Sequence, residues 1–284
     1  MHWEAKAPMP WAMSTKLRQE AKRLLPGRLV AWIRAEHWWR MSRAARLQTG
    51  LPDFCRKVAS RCGLKVRNGP FAGMEFPYEC LEAGCNVSAL LGSYEAEIHP
   101  WLRGLRPNVY QRILDIGAAE GYYAVGMALL TGTRVDAFDP AFSARRLCRS
   151  MARLNHVSHL VVVRSWCAPQ TLLQLRGLRC FVLSDCEGYE AALFSEGAVE
   201  ALSNSDLVVE LHDGAASPGT MRELLAGRFK RTHRVQVVQF RPRNLSDFPE
   251  PALAEVLGAD DAVRAISEEG RPASQEWLIA TPIQ

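Results

Sequence analysis

Arg112-Ile113-Leu114-Asp115-Ile116-Gly117-Ala118-Ala119-Glu120-Gly121-Tyr122-Tyr123-Ala124 is the stretch on which the fold turns. Residues 112–116 are a short β-rich run and 122–130 have helical character, so a strand passes through Asp115-x-Gly117-x-x-x-Gly121 straight into a helix. Two glycines at this spacing let the backbone turn tightly and meet a ligand with no Cβ in the way. A helix that starts there offers N–H groups and the positive end of its dipole. Ligands of parallel sheets sit outside the carboxyl ends of the strands, which is where this loop falls. The run lacks the second glycine of the Gly-x-Gly-x-x-Gly dinucleotide pattern, and Glu120 would repel a diphosphate. A nucleoside carrying positive charge meets no such obstacle.

Strand and helix alternate downstream of this loop. Strands are expected at 134–138, 160–163, 180–184, 207–211, 235–240 and 277–280. Helices are expected at 142–154, 170–175, from about 189, and at 221–226. Such alternation predicts a Rossmann-like, doubly wound α/β domain with a mostly parallel sheet covered on both faces. The second strand ends Ala137-Phe138-Asp139-Pro140, about twenty residues past the loop, where a carboxylate can accept both hydroxyls of a ribose. Upstream, 95–105 reads as a helix ending at Arg106-Pro107, and 60–92 as short strands and turns around Gly69-Pro70-Phe71-Ala72-Gly73-Met74. Residues 1–50 read as two helices, the first capped by Ser14 and broken at Pro26-Gly27, the second running over 28–47 and stopped by Gly50 and Pro52. The organisation expected is a basic, Trp-rich helical extension (1–60), a lead-in of short elements (61–109) and the ligand-binding domain (110–284).

The chain of 284 residues, 48% hydrophobic, is large enough for one core plus an extension. No charge-free apolar run reaches eighteen residues, so no transmembrane helix is expected, and the start lacks a secretory leader. The eight cysteines form no Cys-x-x-Cys pair, which points to reduced thiols in a cytoplasmic protein rather than to zinc or disulfides. Residues 1–67 hold 15 Lys/Arg against 4 Asp/Glu, while the rest holds 20 against 26. Trp3, Trp11, Trp32, Trp38 and Trp39 share the basic segment. A helical cap on the domain or on a partner subunit is its simplest reading. Peripheral contact of residues 1–50 with an anionic membrane surface is the alternative. Basic charge also suits nucleic acid, but no Asn/Asp-Pro-Pro-Tyr/Phe run follows the fourth strand, as amino-group methylation of bases would require.

Four motifs occur in order: 114–124 around the glycine loop; Ala137-Phe138-Asp139-Pro140; Ser184-Asp185-Cys186-Glu187-Gly188-Tyr189-Glu190; and Val208-Val209-Glu210-Leu211-His212. Over residues 90–280 the chain resembles class I S-adenosylmethionine-dependent methyltransferases, and within them the FkbM-type branch. The resemblance implies a seven-stranded sheet with one antiparallel strand, S-adenosyl-L-methionine as cofactor, and methyl transfer to a hydroxyl of a sugar, glycan or secondary metabolite. It assigns cofactor contacts to Asp115, Gly117, Ala118, Ala119, Gly121, Tyr122, Asp139 and Asp185. Leu91-Gly92-Ser93-Tyr94-Glu95 is similar to a segment upstream of the glycine loop in related bacterial enzymes, which adds Glu95 as a residue folding over the cofactor. Asp139 stands where the branch more often has Glu, and Cys186 where it has an aliphatic residue. The turn Arg164-Ser165-Trp166-Cys167 matches no adenine-site pattern; Ser165 is the candidate there.

A hydroxyl acceptor needs a base within hydrogen-bond reach. His212 is the expected base, since an unperturbed imidazole is mostly neutral near pH 7, with Asp185 and Glu187 orienting it or the acceptor. These groups could also hold a divalent cation, but their spacing dictates no ligand set, so no metal is assigned. The acceptor expected is a small molecule or glycan. The competing readings are a nucleic-acid methyltransferase using the basic arm and a non-catalytic adaptor of the same fold at a membrane surface.

Overall fold

The computed structural model describes residues 50–82, 87–213, 219–267 and 275–283, together with positions 36, 37, 39–41, 44, 47 and 48. The helix capped by Ser14, the tryptophans at 3, 11, 32 and 38, and most of the segment read as membrane-facing lie outside the described residues. Seven strands form one sheet: β1 (Arg112–Ile116), β2 (Val135–Phe138), β3 (Val161–Arg164), β4 (Cys180–Ser184), β5 (Asp206–Leu211), β6 (His233–Gln239) and β7 (Glu276–Pro282). Their order is β3-β2-β1-β4-β5-β7-β6. All run parallel except β7, which is antiparallel to both β5 and β6. This is the expected doubly wound, mostly parallel seven-stranded architecture. Order reverses between β1 and β4, and the crevice at that switch point lies above the glycine loop.

The central strands are apolar on both faces because helices cover both. Ile113, Phe181, Leu183, Val208 and Ile279 point into one core. Leu114, Val182, Leu207, Val209 and Leu278 alternate with them into the other. The first core takes helices Leu51–Cys62, Tyr122–Thr131, Phe142–Leu154 and Ala259–Ile266; the second takes Pro169–Leu173, Glu196–Ala201 and Thr220–Phe229. Leu51, Phe54, Cys55 and Val58 share the first core with Ile113 and Val135, so that core runs across positions 60 and 109.

Several expectations need correction. Pro52 starts a helix rather than stopping one: it lies in the first turn of Leu51–Cys62, behind Gly50 in the left-handed conformation, and proline needs no N–H there. Among the described residues of 60–92 there is one isolated bridge, Lys65 with Glu75, and the short helices Tyr78–Glu82 and Val87–Leu91 in place of strands. The helix expected over 95–105 is a 3-10 turn, Ala96–Ile98, followed by His99–Arg103. Helices Pro251–Leu257 and Ala259–Ile266 occupy a stretch where no element was expected. No helix among the described residues is long and apolar enough to cross a membrane, and their seven cysteines are all free.

Arg243 ties the segment after β6 to the 3-10 turn beside the ligand crevice. Its Nη2 lies 2.6 Å from Glu97 Oε2, with both side chains under a tenth exposed. The Arg241 N–H donates to the same carboxylate. Removing one partner of a buried pair strands the other charge. Arg243→Ala is therefore expected to lower unfolding free energy by about 3 kcal/mol or more in chemical denaturation; a loss below about 1 kcal/mol would mean that water reaches Glu97.

Candidate active site

Gly117 leaves β1 at φ 93°, and a Cβ there would lie 1.6 Å from the carbonyl oxygen of Asp185. No side chain fits, so the loop can lie directly against the end of β4, where the Asp185 N–H donates to Ile116 O at 2.8 Å. Gly121, also at φ 93°, closes the loop against Cys148. Between them Ala119 takes a left-handed φ of 44°, a conformation that costs a residue with a Cβ about 1 kcal/mol or more. The first three amides of the loop are engaged within the protein. Gly117 and Ala118 both donate to Phe138 O, at 2.8 and 2.9 Å. The Ala119 N–H donates to Asp139 Oδ2 at 3.0 Å.

Asp139 thus clamps the loop from the end of β2. Its other oxygen accepts from the Ala141 N–H at 2.7 Å. Burial lifts its carboxyl to about 6, against the pull of the Ala141 and Ala119 N–H groups. Asp115 is 1% exposed, and among the described residues neither of its oxygens has a hydrogen-bond partner of normal geometry. Burial pushes it well above the usual carboxylate range, opposed by the Ala124 N–H, and the charges of Asp185, Asp139 and Glu120 push the same way. A buried acid beside three further carboxylates is a place where a cation would be stabilised.

These groups border a cavity of about 480 Å³, within the usual range for small-ligand sites. Of the expected cofactor residues, Gly117, Ala118, Ala119, Tyr122, Asp139, Ser165 and Asp185 line it. Asp115 and Gly121 support the loop from behind. Glu95 does not line the cavity: it is buried at φ 49°, and its carboxylate accepts from the Tyr123 hydroxyl. Its neighbour Tyr94 forms the wall instead. Sequence reasoning also passed over Trp39, Trp166 and Tyr189, all on the wall. Trp166 and Tyr189 are in contact, with centroids 4.8 Å apart. Aromatic residues just after β3 and β4 were the available signal. A second hollow, between Leu64, Phe76, Tyr78 and Leu154, carries Lys65 and Glu75 already paired at 3.1 Å.

The expected reacting end comes together, but with altered charges. His212 Nδ1 lies 2.7 Å from Oε1 of Glu190, which is fully buried. Nε2 faces Asp185 at 3.6 Å, Glu187 at 3.7 Å and Glu210 at 3.9 Å. Burial alone would lower the imidazole; the Glu190 hydrogen bond and the charges of Asp185, Glu190 and Glu187 overcome it and raise it to about 9. The expectation of a neutral imidazole near pH 7 is therefore corrected, since Glu190, Asp185 and Glu187 favour its proton. Nor does His212 line the cavity; Asp185 and Glu187 stand between. Glu187 is held at φ 53° before Gly188. Asp185, Glu187 and His212 each offer one ligand atom, all within 4.8 Å of one another, so a divalent cation could replace the imidazolium proton.

No protein-family model matches the chain, and no curated protein matches it. Solved structures share its fold at low identity. A geranyl diphosphate C-methyltransferase from Streptomyces coelicolor A3(2), solved with Mg2+, geranyl diphosphate and S-adenosyl-L-homocysteine, is 14% identical with a TM-score of 0.43, over 72% of this chain and 83% of that one. A SAM-dependent methyltransferase from Geobacter sulfurreducens in complex with S-adenosyl-L-homocysteine is 14% identical with a TM-score of 0.37, over 63% and 87%. The likeness is one of fold.

The charge state of His212 is directly measurable. Its imidazole resonances are expected to titrate with a midpoint near 9. In Glu190→Gln the midpoint falls, because burial persists while the strongest raising partner is gone. A wild-type midpoint below 6.5 would show that the carboxylates do not act on it.

Proposed function

We propose that the chain is an S-adenosylmethionine-dependent methyltransferase of the FkbM-type branch that methylates a hydroxyl of a small-molecule or glycan acceptor. The observation that carries this reading is the set of carboxylates at the carboxyl ends of β1, β2 and β4. Asp139 spends one acceptor site of each oxygen on the backbone and keeps the others for the hydroxyls of a ribose. Glu120 and Asp185, which line the cavity, make its neighbouring end negative. That pattern suits an ammonium and a sulfonium and repels a diphosphate. Trp166 and Tyr189 offer an aromatic surface for a base.

Bound in this cavity, S-adenosylmethionine supplies an electrophilic methyl group. The chain's residues must hold the acceptor oxygen in line with it and take the proton that the oxygen loses. Asp185 and Glu187 line the cavity and are the carboxylates placed to receive that proton. His212, cationic and anchored by Glu190, fixes both of them from behind. Its role is positioning, in place of the base expected from its residue type. Four carboxylates around this end also disfavour phosphate-bearing acceptors, nucleic acid included.

Isothermal titration with S-adenosylhomocysteine is expected to show one site per chain, and Asp139→Ala to weaken it about tenfold or more, the scale of losing hydrogen bonds to a charged acceptor. Because Asp139 titrates at about 6, affinity falls as pH drops through that value and is level between about 7 and 8, whereas Asp139→Asn gives a flat profile. A wild-type chain that binds neither S-adenosylmethionine nor S-adenosylhomocysteine ends the reading.

Gly117→Ala tests the loop geometry separately. The added Cβ forces the loop away from Asp185, so binding drops more than about tenfold while circular dichroism stays unchanged. Retained affinity would place the ligand elsewhere.

A further inference from the structure

Glu36 is 8% exposed and lies far upstream of the ligand loop in sequence. Its carboxylate accepts from the Ser143 N–H at 3.2 Å and the Ser143 hydroxyl at 2.7 Å, a contact spanning 107 residues. Ser143 stands in the first turn of helix Phe142–Leu154, whose own N-cap, Ala141, has no side chain to cap it. A helix begins with unpaired donors and the positive end of its dipole, and Glu36 answers both from outside. Arg40, one turn further along, lies 3.4 Å from the same carboxylate.

Trp39 follows Glu36 by three residues, the spacing that places two side chains on one helix face. It packs against the first core and lines the cavity alongside Asp139, Pro140 and Ala141. The strip from 139 to 143 therefore does two things. Asp139 grips the ligand loop and the Ala141 N–H, and Ser143, two residues further, receives Glu36.

We infer that the segment around Glu36 and Trp39 forms the outer wall of the nucleoside end of the cavity, with Trp39 a ligand-contacting residue and Glu36–Ser143 the latch that positions it. The inference rests on the cofactor reading above and adds to it a wall contributed from outside the glycine-loop domain. Docking the segment orders the turn that carries Asp139. A bound nucleoside in turn fills the space in front of Trp39 and favours the docked segment.

The test uses the full chain. Trp39→Ala is expected to weaken S-adenosylhomocysteine binding about tenfold by titration, the scale of one lost aromatic contact. Trp39→Phe recovers most of that loss, and the thermal midpoint of the ligand-free Trp39→Ala chain stays near that of wild type. Glu36→Gln weakens binding less, through faster dissociation. A ligand-free measurement runs beside these: hydrogen exchange across residues 139–143 is expected to rise in Glu36→Gln, with exchange in β5 and β7 unchanged. Affinity within twofold of wild type in Trp39→Ala overturns the inference while leaving the cofactor reading intact. Unchanged exchange at 139–143 overturns it whether or not the wild-type chain binds the ligand.

Discussion

The contact between Gly117 and the carbonyl of Asp185 governs the geometry of everything above the sheet. β1 and β4 are adjacent strands, but adjacency alone leaves their following loops free to diverge. Here the loop after β1 is pressed onto the turn after β4 so closely that no Cβ fits between them. The Asp185 N–H then reaches Ile116 O, and Gly117 and Ala118 turn their own N–H groups toward Phe138 O at the end of β2. Three strand ends are thereby locked into one rim. The carboxylates they carry, Asp115, Asp139 and Asp185, are held near one another by backbone geometry and not by mutual attraction, which like charges cannot supply.

Burial in this rim has an electrostatic consequence. It raises both Asp115 and Asp139, and neighbouring carboxylates add to the shift, Asp185 and Asp139 at Asp115 and Glu120 at both. At the other end the conflict is resolved differently, since a protonated His212 stands among Glu190, Asp185 and Glu187. The two ends of the cavity therefore differ in how their charge is met. At the loop end Arg145 reaches the carbonyls of Asp139 and Pro140. Behind the far end stands an imidazolium tied by a fully buried glutamate. Ligand charge is selected at the first, and acceptor geometry is stiffened at the second. Left-handed backbone at Ala119 and Glu187, one residue on each rim turn, marks where strain is retained to hold these positions.

The sheet was legible because its strands are buried on both faces and read as apolar runs, with Cys180–Ser184 and helix Phe142–Leu154 matching their expected bounds. The glycine loop and the carboxylate of Asp139 were legible from spacing, since both are local patterns, and they line one cavity. What failed was whatever depends on contacts across the chain. Pro52 reads equally as a helix stop and a helix start until the core that receives Leu51 and Phe54 is known. Glu95 was assigned to the ligand by its neighbourhood, yet its rotamer serves Tyr123. His212 carries no mark in sequence of the four carboxylates around it; three of these come from other turns and one from its own strand. Residue type set its expected charge and environment reversed it.

The N-terminal segment shows the same dependence in a stronger form. Its charge and tryptophans describe a basic amphipathic arm, and such composition suits lipid, nucleic acid or a protein surface alike. Glu36 is one of only four acidic residues among the first 67. In the structure it is an acid that does the docking, at a helix start where a basic side chain would be repelled. The excess positive charge is therefore not what attaches this part of the arm to the domain. With Glu36 engaged at Ser143 and Trp39 at the cavity, the arm's described portion is bound up with the ligand site.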